Sequence, residues 1–208
     1  MIGELGMKTI FDWWQERKFE QYAKRLKSPQ VDKVGYTLHE LGRVKDRRAL
    51  PLILPMLRHS QPSIRWSAVV ALLERRETSI GESLLSAYSA ETDPFVRMWM
   101  AVGLAHFGRT EGMETIFDDI ALLDAEGIED WDSAPSIVEY IAYDLGEKAL
   151  PYLSKGLIHP NSAVRWVAVM TLGELDSLLA QELLLTARND LDTHTREEVK
   201  HYLKERAG

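Results

Sequence analysis

The sequence predicts an all-α protein built from helical hairpins that follow one another along the chain, an α-solenoid. One phrase occurs three times, as HSQPSIRWSAVVALLER, DPFVRMWMAVGLAHFG and HPNSAVRWVAVMTLGELD. Each copy reads as a short loop followed by a helix whose apolar residues recur at helical spacing. No segment alternates apolar and polar residues for long enough to indicate a strand. A chain that repeats one helix in this way is organised by repetition.

An arginine opens the repeated helix and sets the length of the repeat. The four copies are Arg65, Arg97, Arg165 and Arg196, which are 32, 68 and 31 residues apart. Since 68 is twice a period of about 34, a degenerate repeat lies between the second and third arginine. That repeat ends at Gly146, which aligns with the Gly108 that ends the repeat before it. We expect these arginines to bind an acidic side chain or a carbonyl of the adjacent repeat, with phosphate binding as the alternative.

Six hairpins follow from this spacing, each pairing an outer helix with an inner helix. In chain order they are 18–27 with 31–42, 48–58 with 62–76, 79–90 with 94–107, 112–123 with 134–145, 147–157 with 161–175, and 178–188 with 193–206. One hairpin cannot bury its apolar stripe alone, so neighbouring hairpins must stack. We therefore expect a single repeat domain over residues 1–208. An N-terminal capping helix and the first outer helix occupy 1–30, and the stacked repeats occupy 31–206.

Two longer phrases carry a resemblance to a known family. RALPLILPMLRHSQPSIRWSAVVALLER and KALPYLSKGLIHPNSAVRWVAVMTLGEL resemble HEAT repeats, in particular the HEAT-like type named after the phycobilisome lyases. The resemblance implies a right-handed α-solenoid whose second helices line a concave face. It also implies a binding scaffold, since most such proteins work in that way.

The composition excludes several kinds of chemistry. The 208 residues include no cysteine, which rules out disulfides, thiolate metal sites and cysteine nucleophiles. No apolar run approaches the roughly 18 residues that a membrane-spanning helix needs. The N-terminus lacks the apolar core of a signal peptide. We therefore expect a soluble, cytoplasmic protein without a membrane partner.

Charge is distributed unevenly along the chain. Residues 1–76 hold 15 Lys and Arg against 8 Asp and Glu, a net charge of +7. Residues 77–208 hold 10 against 24, a net charge of −14. An acidic chain is a poor candidate for nucleic-acid binding, although the basic N-terminal third keeps that alternative open. Both patches are also what solvated helix surfaces look like.

A helical wheel places two rows of side chains on the inner helices, opposite the apolar core positions. The apolar and aromatic row contains Tyr36, Trp66, Val70, Met98, Val102, Tyr140, Trp166 and Met170. The acidic row, interrupted by one histidine, contains Glu40, Glu74, His106, Asp144, Glu174 and Glu205. An exposed aromatic groove with an acidic edge would suit a peptide or helix with apolar anchors and basic residues. The alternative is that adjacent inner helices bury these side chains against each other.

A lengthened turn in the fourth repeat supplies one more candidate. The segment LLDAEGIEDWDSAPS places Trp131 between two aspartates in a predicted loop. Loops inserted into regular arrays often carry function. We therefore expect Trp131 to contact a partner.

Motifs for catalysis are weak. The pair His39-Glu40 invites comparison with deoxyhypusine hydroxylase, a HEAT-like di-iron enzyme, but a single pair does not make its metal set. The segment WDSAPSIV resembles one in the HEAT-like alkylpurine DNA glycosylases, yet Pro135 stands where that family has its catalytic aspartate. We expect no catalytic residue, no metal and no cofactor.

The function that the sequence favours is a non-catalytic scaffold that binds a protein partner on the inner-helix face. One alternative is a DNA-binding relative of the alkylpurine glycosylases that lacks the catalytic aspartate. A second alternative, implied by the repeat type alone, is a protein like the bilin lyases. Because fold does not imply chemistry, the repeats do not decide between these functions.

Overall fold

A computed structural model describes residue 13, residues 16–75, residue 77, residues 79–127 and residues 134–205, without the side chains of 134–136 and 205. Within these residues the regular structure is entirely helical. The all-α repeat fold predicted from the sequence is therefore confirmed. The chain divides into two compact units, Met1–Glu77 and Thr78–Gly208. The expectation of one continuous domain stays a prediction.

The first unit contains two helical hairpins. Its helices are α1 at residues 16–26, α2 at Val31–Arg43, α3 at Leu50–Ile53 with a 3-10 extension at Leu54–Arg58, and α4 at Pro62–Leu73. The two second helices, α2 and α4, pack against each other. Leu38, Leu41 and Leu72 on these helices are fully buried. Proline in the first turn suits the start of α4, because the first amides of a helix have no partner within the helix.

The second unit contains four further hairpins. Its helices are α5 at Ile80–Tyr88, α6 at Pro94–His106, α7 at Ile116–Ala125, α8 at Ala134–Tyr140, α9 at Leu150–Gly156, α10 at Ser162–Glu174, α11 at Leu178–Thr186 and α12 at Thr193–Glu205. α10 contacts α7, α8, α9, α11 and α12, and so lies at the centre of this unit. These helices begin and end within a few residues of the predicted hairpins.

The degenerate fourth repeat departs from a regular α-helix. α8 continues as a π-helical segment, Ile141–Leu145, which ends at Gly146. Gly146 and Gly108 both have a positive φ, 55° and 73°, which glycine adopts without steric cost. Their shared conformation supports the sequence alignment that made both glycines the ends of second helices.

Candidate functional site

The repeated arginines hold the turn that precedes each second helix. Arg65, Arg165 and Arg196 each donate through Nη1 to the backbone carbonyls six and five residues earlier, over 2.6 to 3.2 Å. These carbonyls lie in the turn that follows the preceding outer helix. A charged donor there satisfies acceptors that the helix itself leaves without partners.

Two of the repeated arginines bind an aspartate of the next repeat. Asp119 lies on the outer helix α7, and Asp190 lies just after the outer helix α11. The Nε of Arg97 donates to both carboxylate oxygens of Asp119 at 3.0 Å. Arg165 binds Asp190 through Nε at 2.8 Å and Nη2 at 2.9 Å. Burial alone would raise the pKa of Asp190, but the hydrogen bonds from Arg165 and from the Asp192 amide, together with the charge of Arg165, lower this pKa on balance. The predicted contact with an acid of the adjacent repeat is confirmed for Arg97 and Arg165, whereas the carbonyls bound by Arg65, Arg165 and Arg196 belong to the arginine's own hairpin.

The first unit contains a glutamate that an arginine of the same unit already binds. Arg25 Nη1 lies 2.6 Å from Glu40 Oε2. The guanidinium carbon of Arg25 lies 5.7 Å from the ring centre of Tyr36 and 5.9 Å from that of Tyr22, within the range of cation–π attraction. We call these four residues the Glu40 site. Tyr36 remains 62% exposed on its outer side.

The other predicted residues of the first unit are partly accessible. Trp66 and Val70 on α4 are half-buried, and Glu74 at its end is exposed. These positions are compatible with the predicted surface row. They form a small apolar surface with one carboxylate at its edge.

Two predicted surface residues of the second unit lie in the core instead. Met98 is 4% exposed and Val102 is 0% exposed. α6 is apolar all round between Met98 and Ala105, and it contacts α5, α7, α8 and the π-helical segment. A helix that is apolar on every side is buried on every side. The expectation that Met98 and Val102 line a binding surface does not fit this structure.

Three predicted residues of the third and fourth repeats meet in one cluster. His106 Nδ1 lies 2.7 Å from Asp144 Oδ2. The ring of Tyr140 packs edge-on against the ring of His106, with 5.4 Å between the centres. The side chain of His106 is only 5% exposed and that of Asp144 is 22% exposed. The register of the fourth repeat therefore places Tyr140 and Asp144 as predicted, but in a largely internal contact.

A second glutamate lies exposed between two tyrosines. Glu174, the last residue of α10, accepts a hydrogen bond from the hydroxyl of Tyr143 at 3.4 Å on Oε2. Its Oε1 accepts one from the hydroxyl of Tyr202 at 3.2 Å. The ring of Tyr202 lies against Gly173, where a Cβ atom would come within 2.5 Å of three ring carbons. We call Tyr143, Gly173, Glu174 and Tyr202 the Glu174 site.

Both tyrosines of the Glu174 site lie outside the predicted rows. Tyr143 belongs to the π-helical segment and is 70% exposed. A π-helical turn holds more residues than an α-helical turn, so a wheel at 100° per residue does not describe this segment. In the sequence, the contact with Tyr202 is indicated only by Gly173, whose missing side chain lets a ring approach α10 closely.

Trp166 and Met170 on α10 are half-buried. Part of each side chain is therefore accessible to a partner, which is compatible with the predicted row. The Trp166 ring lies 5.2 Å from the ring of His194 on α12, centre to centre. These two α10 residues precede the Glu174 site by one and two helical turns. Trp131 and the side chain of Glu205 fall outside the described residues.

Two arginines of the basic first unit are paired with acids of the same unit. Arg48 binds Asp46 through Nη2 at 2.6 Å, and Arg25 binds Glu40. Hydrogen bonds from the side chain and the backbone of Arg48 lower the pKa of Asp46 to about 2. Arg25 and Arg48 are therefore less available for phosphates, whereas Lys24, Lys27 and Arg47 are exposed.

One cavity of about 440 Å³ lies in the first unit at the ends of α2 and α4. Arg75, which lines it, donates to the carbonyls of Leu41 at 3.3 Å and Asp46 at 3.2 Å and binds Glu77 at 2.6 Å. Arg75 therefore holds the end of α2. The other charged residues that line the cavity are both basic and acidic, namely Arg43, Lys45, Glu74 and Glu77.

The described residues contain no cluster of three or more His, Asp or Glu that could hold a metal ion. No helix within them is both long and apolar enough to span a membrane.

The hairpins and the contacts between their second helices define an α-helical repeat protein. Residues 20–105 match the family model described as HEAT repeats, and the predicted resemblance to HEAT repeats is confirmed there. No curated protein matches the sequence.

Several solved structures are similar in fold at low identity. Human deoxyhypusine hydroxylase in complex with glycerol is 16% identical, with 89% of this chain and 83% of that chain covered and a TM-score of 0.41. One engineered protein is 15% identical over 91% of this chain and 99% of its own, also with a TM-score of 0.41. A designed armadillo repeat protein is 13% identical over 88% and 98%, with a TM-score of 0.37. Because these scores are low, the proposals below rest on contacts within this chain.

Proposed function

We propose that this chain is a protein-binding scaffold whose second unit holds a basic, partly apolar segment of a partner. The HEAT repeat fold is typical of interaction scaffolds, because stacked hairpins present long surfaces without a catalytic centre. The proposed contact surface is on the second helices α10 and α12 and the π-helical segment. We call it the α10 surface, and its residues are Tyr143, Trp166, Met170, Glu174 and Tyr202.

The observation that carries this proposal is the exposed row of aromatic and acidic side chains beside α10. Tyr143 is 70% exposed, Glu174 is exposed, and Trp166 and Met170 are half-buried. Aromatic residues and methionine supply most of the binding energy when a partner covers them. Half-buried side chains already have fixed positions, so ordering them on binding costs little.

Charge supports a basic partner. Residues 77–208 have a net charge of −14, and residues 110–147 contain 12 acids without any Lys or Arg. Such a field attracts a basic segment and speeds the encounter more than it raises the final affinity. Tyr36, Trp66, Val70 and Glu74 give the first unit a smaller surface of the same chemistry.

Photo-crosslinking tests the location of the surface. We would place p-benzoylphenylalanine at Tyr143 and, as the control, at Leu122, which is 44% exposed on the outer helix α7. We expect a nuclease-resistant protein adduct from position 143 and none from position 122. Equal adducts from both positions would contradict the proposal, and an adduct that nuclease removes would favour nucleic acid.

The captured partner then allows a binding measurement. Trp166→Ala should weaken its affinity by about tenfold or more, because a truncated aromatic anchor costs upwards of about 1.4 kcal/mol. The helical circular dichroism of this variant should match that of the wild type. Unchanged affinity in a folded Trp166→Ala variant would remove Trp166 from the proposed surface.

A further inference from the structure

Glu174 presents a carboxylate that two tyrosines orient and that no cation of the described chain neutralises. Each of its oxygens accepts one tyrosine hydroxyl, Oε2 from Tyr143 and Oε1 from Tyr202. Among the described residues, no Lys or Arg forms an ion pair with it. On α12, the helix that supplies Tyr202, Lys200 binds Glu197 at 2.7 Å.

The remaining acceptor capacity of Glu174 has a definite shape. A carboxylate offers about four lone-pair positions, two on each oxygen. The tyrosines take one on each oxygen, which leaves one on each. Two parallel acceptors on neighbouring oxygens match the two parallel N–H groups of a guanidinium. An ammonium group cannot use both with the same geometry.

The first unit shows this combination in its filled form. At the equivalent position of the first repeat, Glu40 binds the guanidinium of Arg25, which lies against the rings of Tyr22 and Tyr36. The Glu174 site also combines one glutamate with two tyrosines and has no arginine among the described residues, but its tyrosines donate to the carboxylate instead of lying against a guanidinium.

The geometry points to the Glu174 site as a binding site for an arginine guanidinium supplied by another molecule. The guanidinium donates two hydrogen bonds to the carboxylate and lies beside the exposed ring of Tyr143. Tyr202 is held in place by its contact with Gly173, so the carboxylate is oriented before the ligand arrives. This inference rests on the proposed function, since it assigns one basic residue of the partner to one position of the α10 surface.

A chemical-shift titration of the full chain with N-acetylarginine amide tests the site. The neutral isostere N-acetylcitrulline amide and the ammonium analogue N-acetyllysine amide serve as comparison ligands. We expect saturable millimolar binding of the arginine probe, with the largest shifts at the amides of Gly173 and Glu174. The lysine probe should bind several-fold more weakly, and the citrulline probe should produce no saturable shift.

Two isosteric variants assign the binding to Glu174. Glu174→Gln should weaken arginine binding by about fivefold or more, since it removes the charge and leaves the shape. Glu182→Gln, which neutralises an exposed glutamate on α11, should leave the binding within about twofold of the wild type. Equal shifts from arginine and citrulline, or unchanged binding in Glu174→Gln, would overturn the inference.

The outcome separates this inference from the proposed function. A partner whose affinity depends on Trp166 and not on Glu174 would leave the scaffold standing and remove the arginine site. Saturable arginine binding at Glu174, with no protein adduct from position 143, would establish the site and remove the scaffold.

Discussion

The Glu40 site and the Glu174 site place the same chemical groups in two different states. In the first unit, α1 supplies both Arg25 and Tyr22, so the glutamate of α2 finds its cation within the chain. In the second unit, the π-helical segment and α12 supply tyrosines to the glutamate of α10 but no cation. The sequence explains part of this difference, because residues 110–147, which include the π-helical segment, contain no Lys or Arg.

The repeat position that Glu40 and Glu174 share can therefore contribute either to stability or to binding. A surface ion pair within the chain contributes a little to folding and occupies the carboxylate. The same carboxylate becomes a binding site where no basic side chain of the described residues pairs with it. Availability therefore depends on the side chains that surround the glutamate rather than on the glutamate itself.

The largest expected effect comes from the close contact beneath Tyr202. Gly173→Ala places a Cβ within 2.5 Å of the Tyr202 ring, so the ring must move and its hydroxyl leaves Glu174. Arginine binding should fall by about fivefold to tenfold. The free energy of unfolding should change by no more than about 1 kcal/mol, because alanine favours the helix while the ring contact is lost.

The control for Gly173→Ala is a substitution at the equivalent place in the Glu40 site, the residue before Glu40. His39 precedes Glu40 on α2 and is exposed, so His39→Ala should leave the Arg25 pair in place. The ring resonances of Tyr202 and the arginine titration report the two variants. An unmoved Tyr202 ring in Gly173→Ala would contradict this account of the site.

Substituting each glutamate should change the free energy of unfolding by a different, small amount. Glu40→Gln should destabilise the first unit by about 0.5 to 1 kcal/mol, a value reduced by the partial exposure of the pair. Glu174→Gln should change stability by less than about 0.5 kcal/mol, since it breaks no ion pair. Amide hydrogen exchange on α2 and α10 would measure each locally. A loss in Glu40→Gln that persists at high salt would show that the pair is not electrostatic.

Sequence periodicity predicted the parts of the fold that depend on repetition. It placed the hairpins, aligned Gly146 with Gly108, and assigned the repeated arginines to carbonyls and aspartates. It also placed Asp144 at the same repeat position as His106, and the two side chains meet. Each of these depends on a spacing that the chain repeats, so one copy explains the next.

The features of the site that the sequence did not predict depend on local departures from the repeat. The π-helical segment exposes Tyr143, which a regular helical wheel passes over. α6 is buried on every side, which removes Met98 and Val102 from the surface. Tyr202 reaches Glu174 only because Gly173 leaves space for its ring. The contact role of Trp131 and the full extent of the α10 surface stay predictions.

In this account, Glu40 and Glu174 both accept a guanidinium, and Arg25 fills the first site while the second is open to another molecule. The most direct test is the number of N-acetylarginine amide molecules bound by wild type, Arg25→Ala, and Arg25→Ala/Glu174→Gln. Removing Arg25 should open Glu40, so we expect one bound molecule for the wild type, two for Arg25→Ala, and one for the double variant. The single molecule on the double variant should shift the amides around Glu40. An Arg25→Ala variant that binds no more probe than the wild type would contradict the account.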